Sequence, residues 1–140
     1  MRRELSILLV EDDTVDQLAI TRAFKKEKIA NTVLLARDGV EALERLRGEG
    51  ALPAVPKPYI VLLDWNMPRM NGLEFLRALR ADPAHRDAIV FVLTTSKADE
   101  DRLAAYGEHV AGYVLKENVG NTFLDLVHFV EHYWRIVELP

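Results

Sequence analysis

The chain has 140 residues, enough for one domain around one core. A net charge of −4, from 18 basic and 22 acidic side chains, weighs against a nucleic-acid binder, which needs a concentrated basic face. With no cysteine, disulfides and thiolate metal sites are excluded, and 49% hydrophobic with 29% charged residues is a globular balance rather than a disordered one.

Residues 7–10 form the first apolar run, Ile-Leu-Leu-Val, closed at once by Glu11, Asp12 and Asp13. It is too short for a signal peptide, and no run approaches the ~18 residues of a membrane span, so a cytoplasmic location is expected. Val15, Leu18, Ala19 and Ala23 mark a first helical stripe. Residues 33–36 form the second run, followed by a stripe of Val40, Leu43 and Leu46. A proline-rich piece, 52–58, reads as a stiff extended connection rather than a domain linker. The third run, 60–63, ends at Asp64, and Leu73, Leu76 and Leu79 follow, entered through Asn71-Gly72. The fourth, 89–93, ends at Thr94 and Thr95. Asp99 and Glu100 then suit the start of a short helix bearing Leu103, Ala104 and Tyr106. The fifth, 113–115, ends at Lys116. Phe123, Leu126, Val127, Val130, Trp134 and Val137 mark the last helix, expected to be the longest.

None of the five runs alternates with polar residues, so each reads as a strand buried on both faces. Strand–helix alternation with right-handed crossovers predicts a doubly wound, five-stranded parallel α/β sheet of (βα)5 type, with helices on both faces. Functional groups in such sheets gather beyond the carboxyl ends of the strands. Three or four carboxylates, two hydroxyls and one ammonium should therefore meet at one edge. Clustered carboxylates repel unless a cation sits among them, and an all-oxygen set suits a hard ion such as Mg²⁺. A cation, a lysine and hydroxyl donors around one carboxylate make a receptor for a phosphoryl group.

Taken singly, each residue has a plainer reading. Asp12, Asp13 or Thr14 could cap the first helix, Asp64 could be a turn residue, Lys116 a solvated lysine, Thr94 an ordinary strand threonine and Tyr113 half-buried packing. The functional reading depends on their sharing one edge.

The segments ILLVEDD, LLDWNMPRMNG, VLTTS and GYVLK resemble, in order, the motifs of the response-regulator receiver family, and the match spans nearly the whole chain. The resemblance implies the flavodoxin-like receiver fold over 1–140, with 132–140 as a C-terminal extension or dimer arm. It implies that Asp64 is the phosphoacceptor and that Glu11, Asp12, Asp64 and the Asn66 backbone carbonyl hold Mg²⁺, Glu11 through water. Thr94 would be the hydroxyl that moves to the phosphoryl oxygen, Lys116 its cationic partner and Tyr113 the aromatic switch. Thr95 stands where the family wants a small residue.

The family resemblance also implies a two-component switch fed by a sensor histidine kinase, not an enzyme in the ordinary sense. Its reset would be self-catalysed hydrolysis. No room remains after the last helix for an output domain, so output should pass to a separate protein, to the kinase or along a phosphorelay. The threonines, the proline-rich piece and the aromatic last helix are similar to regulators paired with phytochrome-type kinases. Two departures stand out. Glu117 follows Lys116 where many receivers have proline, which leaves the shape of that loop open. Trp65 follows Asp64, as in the chemotaxis receiver, and offers a fluorophore.

A second stripe on the last helix, Phe129, Tyr133 and Ile136, lies about 110° around from the first. It reads either as a wide core contact or as a homodimer surface. His128 and His132 have metal-ligand spacing but no evident third ligand. A phosphatase of the haloacid dehalogenase type would place its nucleophile where Glu11 stands. A pseudo-receiver would lack Asp64, Lys116 or the acidic pair, and a nucleotide binder would need a glycine-rich loop after the first strand.

Overall fold

Strands without polar alternation need apolar cover on both faces, and each of the five obtains it. In the computed structural model, which describes residues 4–27, 31–120 and 122–140, β1 (Ser6–Val10), β2 (Thr32–Ala36), β3 (Tyr59–Leu63), β4 (Ile89–Thr94) and β5 (Gly112–Leu115) form one parallel sheet. The order is β2-β1-β3-β4-β5, so the connections reverse direction between β1 and β3. Between the strands run α1 (Thr14–Lys26), α2 (Gly39–Arg47), α3 (Gly72–Ala81) and α4 (Asp99–Gly107). A 3-10 turn (Lys116–Val119) and α5 (Leu124–Ile136) follow β5.

The two-residue period of the strands sorts the core into two layers. Leu8, Val10, Val61, Leu63, Val90 and Val92 face α2 and α3 with Leu43, Leu46, Phe75, Leu76 and Leu79. Ile7, Leu9, Ile60, Leu62, Phe91 and Leu93 face α1 and α5 with Ile20, Phe24, Leu126, Val127 and Val130. The proline-rich piece is pinned rather than merely stiff. Buried Arg45 donates to the Pro53 carbonyl (3.1 Å) and the Leu35 carbonyl (2.7 Å), and Val55 N–H donates to Arg45 O (3.0 Å).

Two predicted stripes are misplaced in part: Ala19, Ala23 and Ala104 do face the core, but their larger members do not. In α1, Val15 is 71% exposed and Leu18 is also exposed. The buried stripe is Ile20, Ala23 and Phe24. At about 100° per residue, Val15 and Leu18 lie about 140° and 160° around the helix from Ile20, on its solvent side. In α4 the buried residue is Ala105, while Leu103 (67% exposed) and Tyr106 face outward. The small side chain lets a short helix lie close to the sheet. The last helix is not the longest: α1 and α5 both have 13 residues.

The second stripe on α5 lies at the edge of the core: Tyr133 is half-buried against it and Phe129 is 42% exposed. Phe129 and Tyr133 both meet Phe91 of β4 edge-to-face, with ring centroids 5.1 Å apart. Ile136, in the same stripe, is 82% exposed.

Candidate functional site

The strand ladders carry the backbone one residue beyond β1 and β3 and fix the acidic groups there. Glu11 N–H donates to Ala36 O (2.9 Å), and Asp64 N–H donates to Val10 O (2.9 Å). Glu11, Asp12 and Asp64 therefore flank the reversal between β1 and β3, and each offers a carboxylate oxygen within 4.8 Å of the others. Asp12 is exposed and Asp64 half-buried, whereas Glu11 is only 1% exposed.

Lys116, at the end of β5, reaches across this edge. Its ammonium donates to Glu11 Oε1 (2.5 Å) and to Asp16 Oδ2 (2.7 Å). The loop with Glu117 in place of proline thus still delivers the lysine. The Lys116–Glu117 peptide is trans, the cis bond among the described residues being Lys57–Pro58. Glu117 pairs with Lys97 (2.9 Å) in the loop after β4.

Burial, and then the nearby Asp64, push the Glu11 carboxyl up to about 9, while Lys116 pulls the other way. Burial also raises Asp64, with Asp12 adding to the shift. Desolvation works against the Lys116 ammonium, yet Asp16 and Glu11 together hold its pKa above the ordinary lysine value. The other Glu11 oxygen, Oε2, is buried and has no hydrogen-bond partner. An orphaned carboxylate oxygen beside two further acids fits a divalent cation, which would remove both the repulsion and the desolvation cost.

Thr94 and Tyr113 meet through the backbone of one residue, Ser96. The buried Thr94 Oγ1 accepts from Ser96 N–H (3.1 Å), and the Tyr113 hydroxyl donates to Ser96 O (2.9 Å). Thr95 and Asn66 are exposed beside the edge. Asp13 caps α1, accepting from Val15 N–H (2.8 Å) and Asp16 N–H (3.4 Å), so the capping reading holds for Asp13 and leaves Asp12 to the cluster. Gly72 lets α3 begin against the Asp64 loop: its N–H donates to Trp65 O (2.9 Å), and an added Cβ would lie 2.8 Å from the Trp65 ring.

Three contributors were not singled out from the sequence. Asp16 lies four residues before Ile20, on the buried stripe of α1, and choosing Ile20-Ala23-Phe24 rather than Val15-Leu18 would have pointed to it. Arg69 holds the loop after β3 by a two-pronged pair with Asp38 (2.7 and 3.1 Å), while Asp38 caps α2 through Glu41 N–H (2.9 Å). Ser96, between Thr94 and Tyr113, carries no side-chain signal because its backbone does the linking. His128 Nε2 lies 3.4 Å from Glu27, and among the described residues no third ligand joins it and His132.

A parallel 2-1-3-4-5 sheet with acids at the β1/β3 reversal, a hydroxyl after β4 and a lysine after β5 defines a receiver-type signalling switch. The response regulator receiver domain family matches residues 7–128, and the chain belongs to it. It is a response regulator of two-component signalling, in a family that works through phosphorylation of an aspartate.

The chain is 33% identical over 135 residues to the response regulator Rcp1 of Synechocystis sp. (strain ATCC 27184 / PCC 6803 / Kazusa), covering 96% of this chain and 92% of that protein. The phosphorylated cyanobacterial phytochrome response regulator RcpA superposes with a TM-score of 0.87 at 32% identity, covering 99% of each chain. The Mn²⁺-bound form of Rcp1 superposes with a TM-score of 0.83 at 33% identity, covering 96% of this chain and 98% of that one. Among the described residues no helix is long and apolar enough to cross a membrane.

Proposed function

We propose that Asp64 accepts a phosphoryl group from the phosphohistidine of a sensor histidine kinase, in a reaction that depends on Mg²⁺. The observation that carries this reading is the trio Glu11, Asp12 and Asp64 within 4.8 Å, with the Lys116 ammonium bonded into it. Asp12 and Asp64 would hold the ion directly, Asn66 through its backbone carbonyl and Glu11 through water. When bound, Mg²⁺ supplies positive charge that stabilises the transferring phosphoryl oxygens.

An Asp64 carboxylate oxygen attacks phosphorus in line. The new O–P bond forms as the N–P bond to histidine breaks, and the imidazole leaves with its electron pair. Lys116 supplies charge on the side of the site facing β5. Thr94 then offers its hydroxyl hydrogen to a phosphoryl oxygen, and a shift of Oγ1 toward that oxygen pulls on the bond it accepts from Ser96 N–H. Because Tyr113 holds the carbonyl of the same residue, the β4–α4 loop and Tyr113 respond together. Attack by water later breaks the O–P bond, releases inorganic phosphate and restores the carboxylate, a self-directed reset.

On this reading the domain spans 1–140 and acts in the cytoplasm, with a phytochrome-type kinase upstream and a separate protein or phosphotransfer partner downstream. Residues 132–140, which include the end of α5 and exposed Ile136, would form the arm of a homodimer.

Trp65 is buried beside the acceptor and reports on it. In a Trp134→Phe background, its emission should change on adding Mg²⁺ and again on adding beryllofluoride. Acetyl phosphate should add one phosphoryl group by intact mass to the wild type and none to Asp64→Asn. Labelling that survives Asp64→Asn would refute the assignment.

A further inference from the structure

We propose that Asp16 is the resident counter-anion of Lys116: a positioning residue that holds the ammonium at the edge of the site and competes for it with an arriving phosphoryl group. This rests on the reading of Asp64 as acceptor and adds a residue outside the four motifs.

The geometry begins with the cap of α1. Asp13 starts the helix, and its first turn places Asp16 on the stripe continued by Ile20 and Ala23, which faces the sheet. The Asp16 carboxylate is thereby aimed across the strand edge and meets Lys116 Nζ at 2.7 Å. The first turn is also tied down next door, where the Gln17 side-chain amide donates to the Glu11 backbone carbonyl.

Lys116 has three N–H donors, and two are taken, by Glu11 and Asp16. The two acceptors differ in what a divalent cation does to them. Glu11 belongs to the trio that can hold the ion, so cation binding neutralises its claim on the ammonium. Asp16 lies outside that trio, and although its carboxylate also meets the Glu11 carboxyl, Lys116 is its cationic partner.

The consequence is a sign difference. One more negative charge at this edge favours a cation and disfavours an anion, which must also share the ammonium. Asp16 therefore strengthens Mg²⁺ binding and weakens phosphoryl capture. It keeps the unphosphorylated state poised without touching the reacting atoms.

The experiment uses the full chain with Trp134→Phe, comparing Asp16, Asp16→Asn and Asp16→Glu. Mg²⁺ is titrated first, and beryllofluoride next at saturating Mg²⁺, both read by Trp65 emission. Asp16→Asn should weaken Mg²⁺ about two- to threefold and tighten beryllofluoride about fivefold at low ionic strength, with both shifts shrinking in salt. Asp16→Glu should move both values back toward wild type. In the metal-free protein, Lys116 acetylation by acetic anhydride, followed by peptide mass, should be faster in Asp16→Asn.

A variant that is merely less well folded weakens both ligands, and that result, or an unchanged beryllofluoride affinity, overturns the role of Asp16. A wild type with no Mg²⁺-dependent response to beryllofluoride overturns the acceptor reading itself and this inference with it.

Discussion

Gly72→Ala is a sharp probe of how the acceptor loop is built, because two opposing effects act at one position. Gly72 is the first residue of α3, behind an Asn71–Glu74 capping box. Alanine is the better helix former by up to about 1 kcal/mol, and by less at a first-turn position. Against that, the new Cβ would sit 2.8 Å from Trp65 Cε3, 3.0 Å from Trp65 Cα and 3.1 Å from Asp64 O. Two of these atoms are backbone and cannot swing aside, so relief requires moving the loop that carries the acceptor. Overpacking of this kind costs about 1–3 kcal/mol. The clash wins, leaving a net loss of about 1–2 kcal/mol. With a urea slope of about 2 kcal/mol/M, the midpoint by far-ultraviolet circular dichroism should fall by about 0.5–1 M. Mg²⁺ half-saturation should rise in parallel, since the Asp64 backbone must shift. A midpoint equal to or above wild type would show that the turn has slack and that close approach at Gly72 does not position Asp64.

Asp38→Ala removes both the cap of α2 and the anchor of Arg69. It should lose about 1–2 kcal/mol in urea unfolding, while Asp38→Asn keeps the cap and loses less; equal losses would mean the Arg69 pair dominates. Glu11, raised to about 9 chiefly by burial and then by Asp64, contributes stability that is complete below its ordinary value of 4.5 and lost as pH rises toward 9. The chelated protein should therefore melt lower at pH 8.5 than at pH 7 by calorimetry, and Glu11→Gln should flatten the trend; a wild-type melting temperature independent of pH would contradict the raised value. Tyr113→Phe deletes the donor to Ser96 O and should cost about 1 kcal/mol. It should also reduce the Trp65 response to beryllofluoride, and a full response would detach Tyr113 from the switch. Ile136→Glu places a charge on a residue already in water, so the fold should hold while light scattering reports a monomer. An unchanged mass in a dimeric wild type would move the interface elsewhere.

The sheet was legible because its signal is local: five apolar runs, each ending in a polar residue with a chemical task. Their edges differ from the observed strands by a residue or so, as at Ser6, Tyr59 and Thr94. The meeting of Glu11, Asp12, Asp64 and Lys116 followed from the strand ends alone. The facing of α1 and α4 did not. Val15 and Leu103 have helical spacing and apolar side chains, but they lie on the opposite side of their helices from the buried Ile20 and Ala105. Asp16 was hidden by the same error, since a wrong stripe turns an inward carboxylate into an outward one. The Asp38–Arg69 pair and the Ser96 bridge join loops through geometry that no sequence period encodes. The aromatic stripe of α5 divided: Tyr133 is half-buried against Phe91, Phe129 touches the same ring yet stays exposed, and Ile136 is bare.

The Lys116 bridges also bear on how the molecule comes together. Lys116 follows β5 and Glu11 follows β1, yet β3 and β4 lie between those strands in the sheet, and the bonded residues are 105 and 100 positions apart in sequence. Contacts that close so long a loop pay their entropy late, after nearer neighbours have docked. Until β5 is seated, the acidic edge faces water without its ammonium, charged but unable to welcome an anion. On the reading proposed above, a copy in which β5 is not seated would lack the cation that Lys116 brings to the Asp64 edge.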